Sequence, residues 1–88
     1  MAWKVEFVPA SKKELRKLDP PVAKRILKYL HEYISNLDDP RSVGKALKGN
    51  LDDFWRYDIG DWRIITNIKD DKLTILAVRI SHRREVYK

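Results

Sequence analysis

The chain of 88 residues contains no cysteine, which excludes a disulfide framework and a thiolate metal site. Histidine occurs twice, as His31 and His82, too far apart in sequence to suggest a metal centre built on imidazoles. No apolar run approaches the roughly 20 residues needed to span a bilayer. The opening Met-Ala-Trp-Lys-Val-Glu lacks the apolar core of a secretory signal. A cytoplasmic protein without membrane contact is therefore expected. Internal repeats, linkers and low-complexity stretches are missing as well. Residues 1–88 read as one small domain, its core near the lower limit for folding without staples.

Negative charge is scarce relative to positive: 13 acidic residues face 19 basic ones, a net +6. Phosphate attraction and counterion release make nucleic acid the partner such a surplus favours; ordinary solubility accounts for it equally well. Aromatic and aliphatic residues are present in quantity. Three Trp, four Tyr and two Phe among many Ile, Leu and Val imply an ordered fold rather than a disordered chain.

Residues 54–68, Phe-Trp-Arg-Tyr-Asp-Ile-Gly-Asp-Trp-Arg-Ile-Ile-Thr-Asn-Ile, are the stretch that organises the rest. They predict two strands joined at Gly60-Asp61, because a two-residue loop opening with glycine suits a tight hairpin. That loop sets Ile59 opposite Trp62, Asp58 opposite Arg63, Tyr57 opposite Ile64 and Arg56 opposite Ile65. Alternation then sorts the hairpin into two faces. Trp55, Tyr57, Ile59, Trp62, Ile64 and Thr66 require a core, whereas Phe54, Arg56, Asp58, Arg63, Ile65 and Asn67 form an open surface.

Residues 2–8 alternate as a half-buried strand ended by Pro9. Ser11 with Glu14 matches a capping box, predicting a short helix to about Leu18. Asp19-Pro20-Pro21 starts a second helix, with Val22, Ile26, Leu30, Tyr33, Ile34 and Leu37 at helical spacing. Residues 38–53 read as a loop, with room for a helical turn, that carries Arg41, Lys45 and Lys48 to the surface. Asp70-Asp71 predicts a second two-residue turn, which pairs Arg63 with Val78 in a last strand, Lys72–Ser81. That strand is apolar on both faces and so is placed inside the sheet. The order β-α-α-β-β-β describes an α+β fold: a two-helix hairpin on one face of a mainly antiparallel four-stranded sheet. The helices should cover the Trp55/Trp62 face and leave the Arg56/Arg63 face open, with the basic tail at its edge.

Lys45-Ala-Leu-Lys-Gly49, Trp55-Arg-Tyr, Gly60-Asp-Trp-Arg-Ile64 and the ending His82-Arg-Arg-Glu-Val-Tyr87 together resemble the RelE branch of the RelE/ParE toxin superfamily of type II toxin–antitoxin systems. The resemblance covers the whole chain in order. It implies a RelE-like fold and a toxin that cuts messenger RNA in the ribosomal A site. It also implies that no metal or other cofactor takes part, and that the partners are ribosome, messenger RNA and a cognate antitoxin. The ParE branch shares the fold, poisons DNA gyrase and lacks the cluster of basic residues used for cleavage.

By that resemblance Arg63 matches the family's central arginine on the third strand, and Arg56 a basic position on the second. Arg83 matches, with a one-residue gap, the arginine after the last strand, and Tyr87 the tyrosine near the end of the motif. Asp58 departs from the pattern, since the best-known members carry a second basic residue there. Metal-free cleavage needs attack by the 2′-hydroxyl on the adjacent phosphate, stabilisation of the phosphorane and proton transfers. Arg63 and Arg83 suit the phosphorane, because a guanidinium donates two hydrogen bonds to phosphate oxygens. Arg56 contacts phosphate or steadies the 2′-oxygen. His82, whose reference pKa lies near neutral, moves a proton or holds the tail backbone. Asp58 orients Arg63 or accepts the proton, Tyr87 stacks on a base, and Lys45, Lys48, Arg84 and Lys88 contact RNA. Trp3, Trp55 and Trp62 belong to the core. Two other functions remain open, a ParE-like gyrase inhibitor without catalysis and a degenerate member that only binds antitoxin and operator.

Overall fold

The central hairpin forms with the register that its loop dictates. Gly60 adopts φ 60°, and Ile59 pairs with Trp62, Asp58 with Arg63, Tyr57 with Ile64 and Arg56 with Ile65. The computed structural model describes residues 3–47, 54–82 and 84. The order is β1 (Lys4–Phe7), α1 (Pro9–Arg16), α2 (Pro20–Lys28), a π-helical continuation Tyr29–Ile34 and a 3-10 turn Pro40–Ser42. Then follow β2 (Lys45–Ala46), β3 (Phe54–Ile59), β4 (Trp62–Lys69), a second 3-10 turn Asp70–Lys72 and β5 (Thr74–His82). Among the described residues the sheet has five strands rather than four, ordered β1-β5-β4-β3-β2. The extra strand comes from the stretch expected to be loop, where Lys45 and Ala46 pair with Arg56 and Trp55. Among these five, β1 alone runs parallel to its neighbour. The α+β architecture holds, and β5 is an interior strand as its apolar composition requires.

Helix α1 does not begin with the expected capping box. Pro9 occupies the first turn after Val8, where its missing N–H costs nothing and its fixed φ is already helical, so Ser11 falls inside the helix. Ser11 is fully buried and its hydroxyl donates to the Ala77 carbonyl at 2.7 Å, with the Val8 carbonyl 3.0 Å away. Glu14 accepts the Ile80 N–H at 2.9 Å. Strand β1 pairs with β5 only as far as Ala77. At the Ala77 carbonyl, which also accepts the Val8 N–H at 3.1 Å, and beyond it at the Ile80 N–H, these two side chains meet the β5 backbone, a helix covering a sheet edge.

Helix α2 starts at Pro20, as predicted. Its apolar face buries Ile26, Leu30 and Ile34 against Tyr57, Ile59, Ile64, Ile75, Ala77 and Ile80. Trp3, Trp55 and Trp62 pack around this core, on the helix side of the sheet. Tyr33, counted on the buried face by helical spacing, is 46% exposed. The wider turn is the reason: the Ser35 N–H donates to the Leu30 carbonyl at 2.9 Å, five residues back instead of four, which rotates the intervening side chains.

The β4–β5 connection also differs from expectation. Four residues intervene between Lys69 and Thr74, a 3-10 turn closed by Leu73 at φ 47°. A register shift lies between Ile65 and Thr66, whose partners are Arg79 and Ala77, so Val78 has no opposite residue. This bulge switches the side on which later residues lie. Ala77 and Ile80 both enter the core, and Arg63 pairs with Ser81 rather than Val78.

The segment before β2 is tied down at Pro40 and Arg41. Arg41 bridges Asp70 through two hydrogen bonds of 2.9 Å, and the buried Tyr57 hydroxyl donates to the Pro40 carbonyl at 2.6 Å. The Arg41 guanidinium holds the Asp70 carboxyl below its ordinary range, chiefly through those hydrogen bonds. A carboxyl depressed by folding stabilises above its unfolded pKa, and that contribution is lost as pH falls through the folded value. Asp70→Asn should therefore cost up to about 1 kcal/mol in urea denaturation at neutral pH. Its difference from wild type should vanish in strong acid; a difference that persists there would show that the ion pair is not its source.

Candidate functional site

Residues opposite each other in an antiparallel pair project to the same face, so the register lays out the face opposite the helices as a grid. One row holds Asp58, Arg63 and Ser81, the next Lys45, Arg56, Ile65 and Arg79. The Arg56 and Arg63 side chains are only 18% and 15% exposed, and Asp58 is 44% exposed. Both guanidiniums approach the same carboxylate oxygen: Oδ1 of Asp58 lies 3.1 Å from Arg56 Nε and 3.8 Å from Arg63 Nε. The closer partner of Asp58 is thus Arg56, two residues away on its own strand, not the cross-strand Arg63 that pairing alone suggests. Arg56 Nη2 donates to Oδ2 at 3.3 Å. Its Nε–H is buried and makes no hydrogen bond among the described residues, because Oδ1 lies near it but out of line. A buried donor left in this state is uncommon in a folded protein.

Lys45, brought beside Arg56 by β2, is exposed on this same face. Arg79 joins it, 70% exposed with Nε 3.7 Å from Glu14 Oε2. Arg79 is a cation of this face that the sequence reading missed. Only the bulge at Val78 places it beside Ile65, and nothing in the alternation of residues 72–81 announces that bulge.

His82 is not beside the two arginines. It pairs with Trp62, and its ring meets that indole edge-on, with centroids 5.1 Å apart and planes at 89°. Trp62 lies on the helix-covered side, so His82 does too, at the end of a groove lined by Val22, Arg25 and Ile26. His82 Nδ1 accepts the Arg84 N–H at 3.2 Å, and Arg84 is exposed. Lys48, Arg83, Tyr87 and Lys88 lie outside the described residues. Among the described residues, no three His, Asp or Glu side chains are grouped to hold a metal ion, and no helix is long and apolar enough to cross a membrane.

Chemically, the face presents two partly desolvated guanidiniums held around one anionic position, flanked by a lysine and a third arginine. Guanidiniums on either side of one anionic position suit a phosphate as well as a carboxylate, since each can donate two hydrogen bonds to phosphate oxygens.

Comparison with known proteins sets this geometry among relatives. The model of the ParE toxin of the type II toxin–antitoxin system parDE matches residues 5–87. Toxin RelG of Mycobacterium tuberculosis is 26% identical over 88 residues, covering 100% of this chain and 99% of that protein. The structure of the toxin–antitoxin complex RelBE2 from M. tuberculosis superposes with a TM-score of 0.85 at 25% identity, covering 94% of this chain and 93% of that one. The isolated RelE toxin of E. coli shares the fold, with a TM-score of 0.73 at 23% identity and coverage of 98% and 92%.

Proposed function

This chain belongs to the ParE toxin family of type II toxin–antitoxin systems, within the RelE/ParE superfamily, and we propose that it is a ribosome-dependent endoribonuclease that cuts messenger RNA in the A site without a metal. The observation that supports this best is the convergence of Arg56 and Arg63 on one anionic position of the sheet face opposite the helices. A cognate antitoxin is its protein partner; the RelBE2 relative was solved as a toxin–antitoxin complex.

In this mechanism the scissile phosphate takes the position that the Asp58 carboxylate now occupies between the two guanidiniums. Arg63 and Arg56 donate to its non-bridging oxygens, and the buried Nε–H of Arg56 finds its acceptor there. The 2′-hydroxyl passes its proton to water as its oxygen attacks the phosphorus in line, the bond to the 5′-oxygen breaks and water protonates that oxygen, so the products are a cyclic phosphate and a free 5′-hydroxyl. Charge accumulates on the oxygens that the arginines already hold, which is where preorganised donors lower a barrier most. Arg83 adds to the same clamp and Tyr87 stacks on a base. Lys45, Lys48, Arg84 and Lys88 contact flanking phosphates. His82, on the far side of the sheet, steadies the tail through its bond to Arg84 rather than carrying the proton.

Asp58 bears on which residue accepts the proton. The Asp58 carboxylate occupies the position assigned to the phosphate and must leave it before RNA binds, so Asp58→Asn should leave cleavage close to wild type and tighten RNA binding. A loss of about 100-fold or more is what removal of a general base produces and would reassign Asp58 to that role. The ParE description of the matching family, together with the carboxylate at position 58, favours gyrase inhibition as the second reading. Primer extension on a translated message after brief expression separates the two. Discrete cuts within codons support the nuclease, whereas intact messages with loss of supercoiling would replace it with the gyrase inhibitor.

A further inference from the structure

A groove of about 440 Å³ with no role in the site above lies between the π-helical turn and the end of β3, lined by Arg25, Lys28, Tyr29, Glu32, Tyr33 and Asp58. A volume of this size falls within the range of small-ligand sites. Its floor is the Ile59–Gly60 corner of the hairpin, where glycine at φ 60° lets the Arg25 guanidinium approach: a Cβ there would stand 3.2 Å from Arg25 Nη1. Tyr29 and Tyr33 meet with centroids 5.2 Å apart at 57°, and Tyr33 is one of two large apolar residues left exposed among the described residues. The π turn produces this exposure. Such turns are rare and recur at functional sites.

We infer that this groove is a base-binding subsite for the RNA chain, taking a nucleotide next to the one whose phosphate lies on Arg56 and Arg63. The inference rests on the nuclease reading above. Asp58 supplies the continuity, because it lines the groove and also sits between the two arginines. β2 pairs with Trp55 and Arg56, and among the described residues no strand pairs with β3 on that side from Tyr57 to Ile59. A single strand of RNA can therefore turn around that edge from the arginine face to the tyrosines. Burial first, then the neighbouring Tyr33 and Asp58, push the Tyr29 phenol up, so it stays neutral and able to donate. Two carboxylates offset the two cations of the groove, so its contribution is stacking rather than charge. Aromatic side chains hold unpaired bases in that way whatever the base.

The test uses a short single-stranded RNA, fluorescein-labelled and 2′-O-methylated so that it cannot be cut, titrated by anisotropy with the full-length toxin. Tyr33→Ala should bind about tenfold more weakly, with the deficit unchanged as salt is raised, and Tyr33→Phe should bind like wild type. Wild-type affinity in Tyr33→Ala, or no RNA binding by the wild type, overturns the subsite. Titrating antitoxin in parallel covers the competing occupant: weaker antitoxin binding with unchanged RNA binding makes the groove a protein-docking surface and also overturns it. Failure of the nuclease reading shows differently, as intact messages from the wild-type toxin while the Tyr33→Ala deficit for RNA remains. Tyr33 projects from the surface, and a thermal melt matching wild type excludes unfolding as the cause.

Discussion

Arg63→Ala is expected to leave translated messages essentially uncut while the protein stays folded. Removing one preorganised donor from a developing oxyanion typically costs about 2.7–4 kcal/mol of barrier, or about 100- to 1,000-fold in rate. The Arg63–Asp58 approach of 3.8 Å is a cross-strand ion pair of the kind worth roughly 0.2–1 kcal/mol. Cleavage measured by primer extension should fall by two orders of magnitude or more, while a cooperative urea transition shows that the variant is still folded. Arg63→Lys keeps the charge but loses the planar fork, so it should recover only part of the rate. Cleavage by Arg63→Ala at the wild-type rate would remove the arginine pair from the mechanism altogether.

What could be read in advance follows from where the chain has freedom. A two-residue loop leaves the hairpin one register, so the faces of β3 and β4, and with them the meeting of Arg56, Asp58 and Arg63, were legible from residues 54–67. The next turn has no such constraint. Asp70-Asp71 looks like another tight loop, yet the observed turn takes four residues and depends on Leu73 entering the left-handed region, which few sequences of this kind advertise. The bulge at Val78 is equally silent. It decides that Arg79 shares the arginine face and that His82 does not. Helical spacing likewise cannot foresee a turn in which Ser35 bonds to Leu30. That turn is fixed by the need to bring Ser35 to Trp3, whose N–H and carbonyl both bond to it, at 2.7 and 2.5 Å. Local chemistry thus settled the hairpin, while long-range packing settled which other side chains join its surface.

The same distinction between local and long-range demands makes Gly44→Ala the substitution expected to damage the fold most. Gly44 sits at φ 83°, a region that costs an L-residue of order 1–3 kcal/mol. A Cβ there would also lie 2.5 Å from the Arg56 carbonyl, 2.7 Å from Trp55 Nε1 and 2.9 Å from Tyr57 Cδ1. Backbone and two packed rings cannot step aside. Relief must come from lifting the segment off β3, which breaks the Trp55 Nε1–Val43 carbonyl bond of 2.6 Å, strains the Tyr57–Pro40 bond and pulls Lys45 from beside Arg56. Overpacking of this sort adds about 1–3 kcal/mol, so the sum is about 3 kcal/mol or more, a large share of a small domain's stability. Gly60→Ala is the informative comparison. Its φ of 60° carries similar backbone cost, but the nearest atom to a new Cβ belongs to the flexible Arg25 side chain, at 3.2 Å. Urea denaturation should show Gly44→Ala losing at least twice as much stability as Gly60→Ala, together with weaker RNA binding as Lys45 leaves the arginine face. Equal losses at the two glycines would mean that φ alone matters. The close passage of residues 43–45 over β3 would then play no part in holding the site.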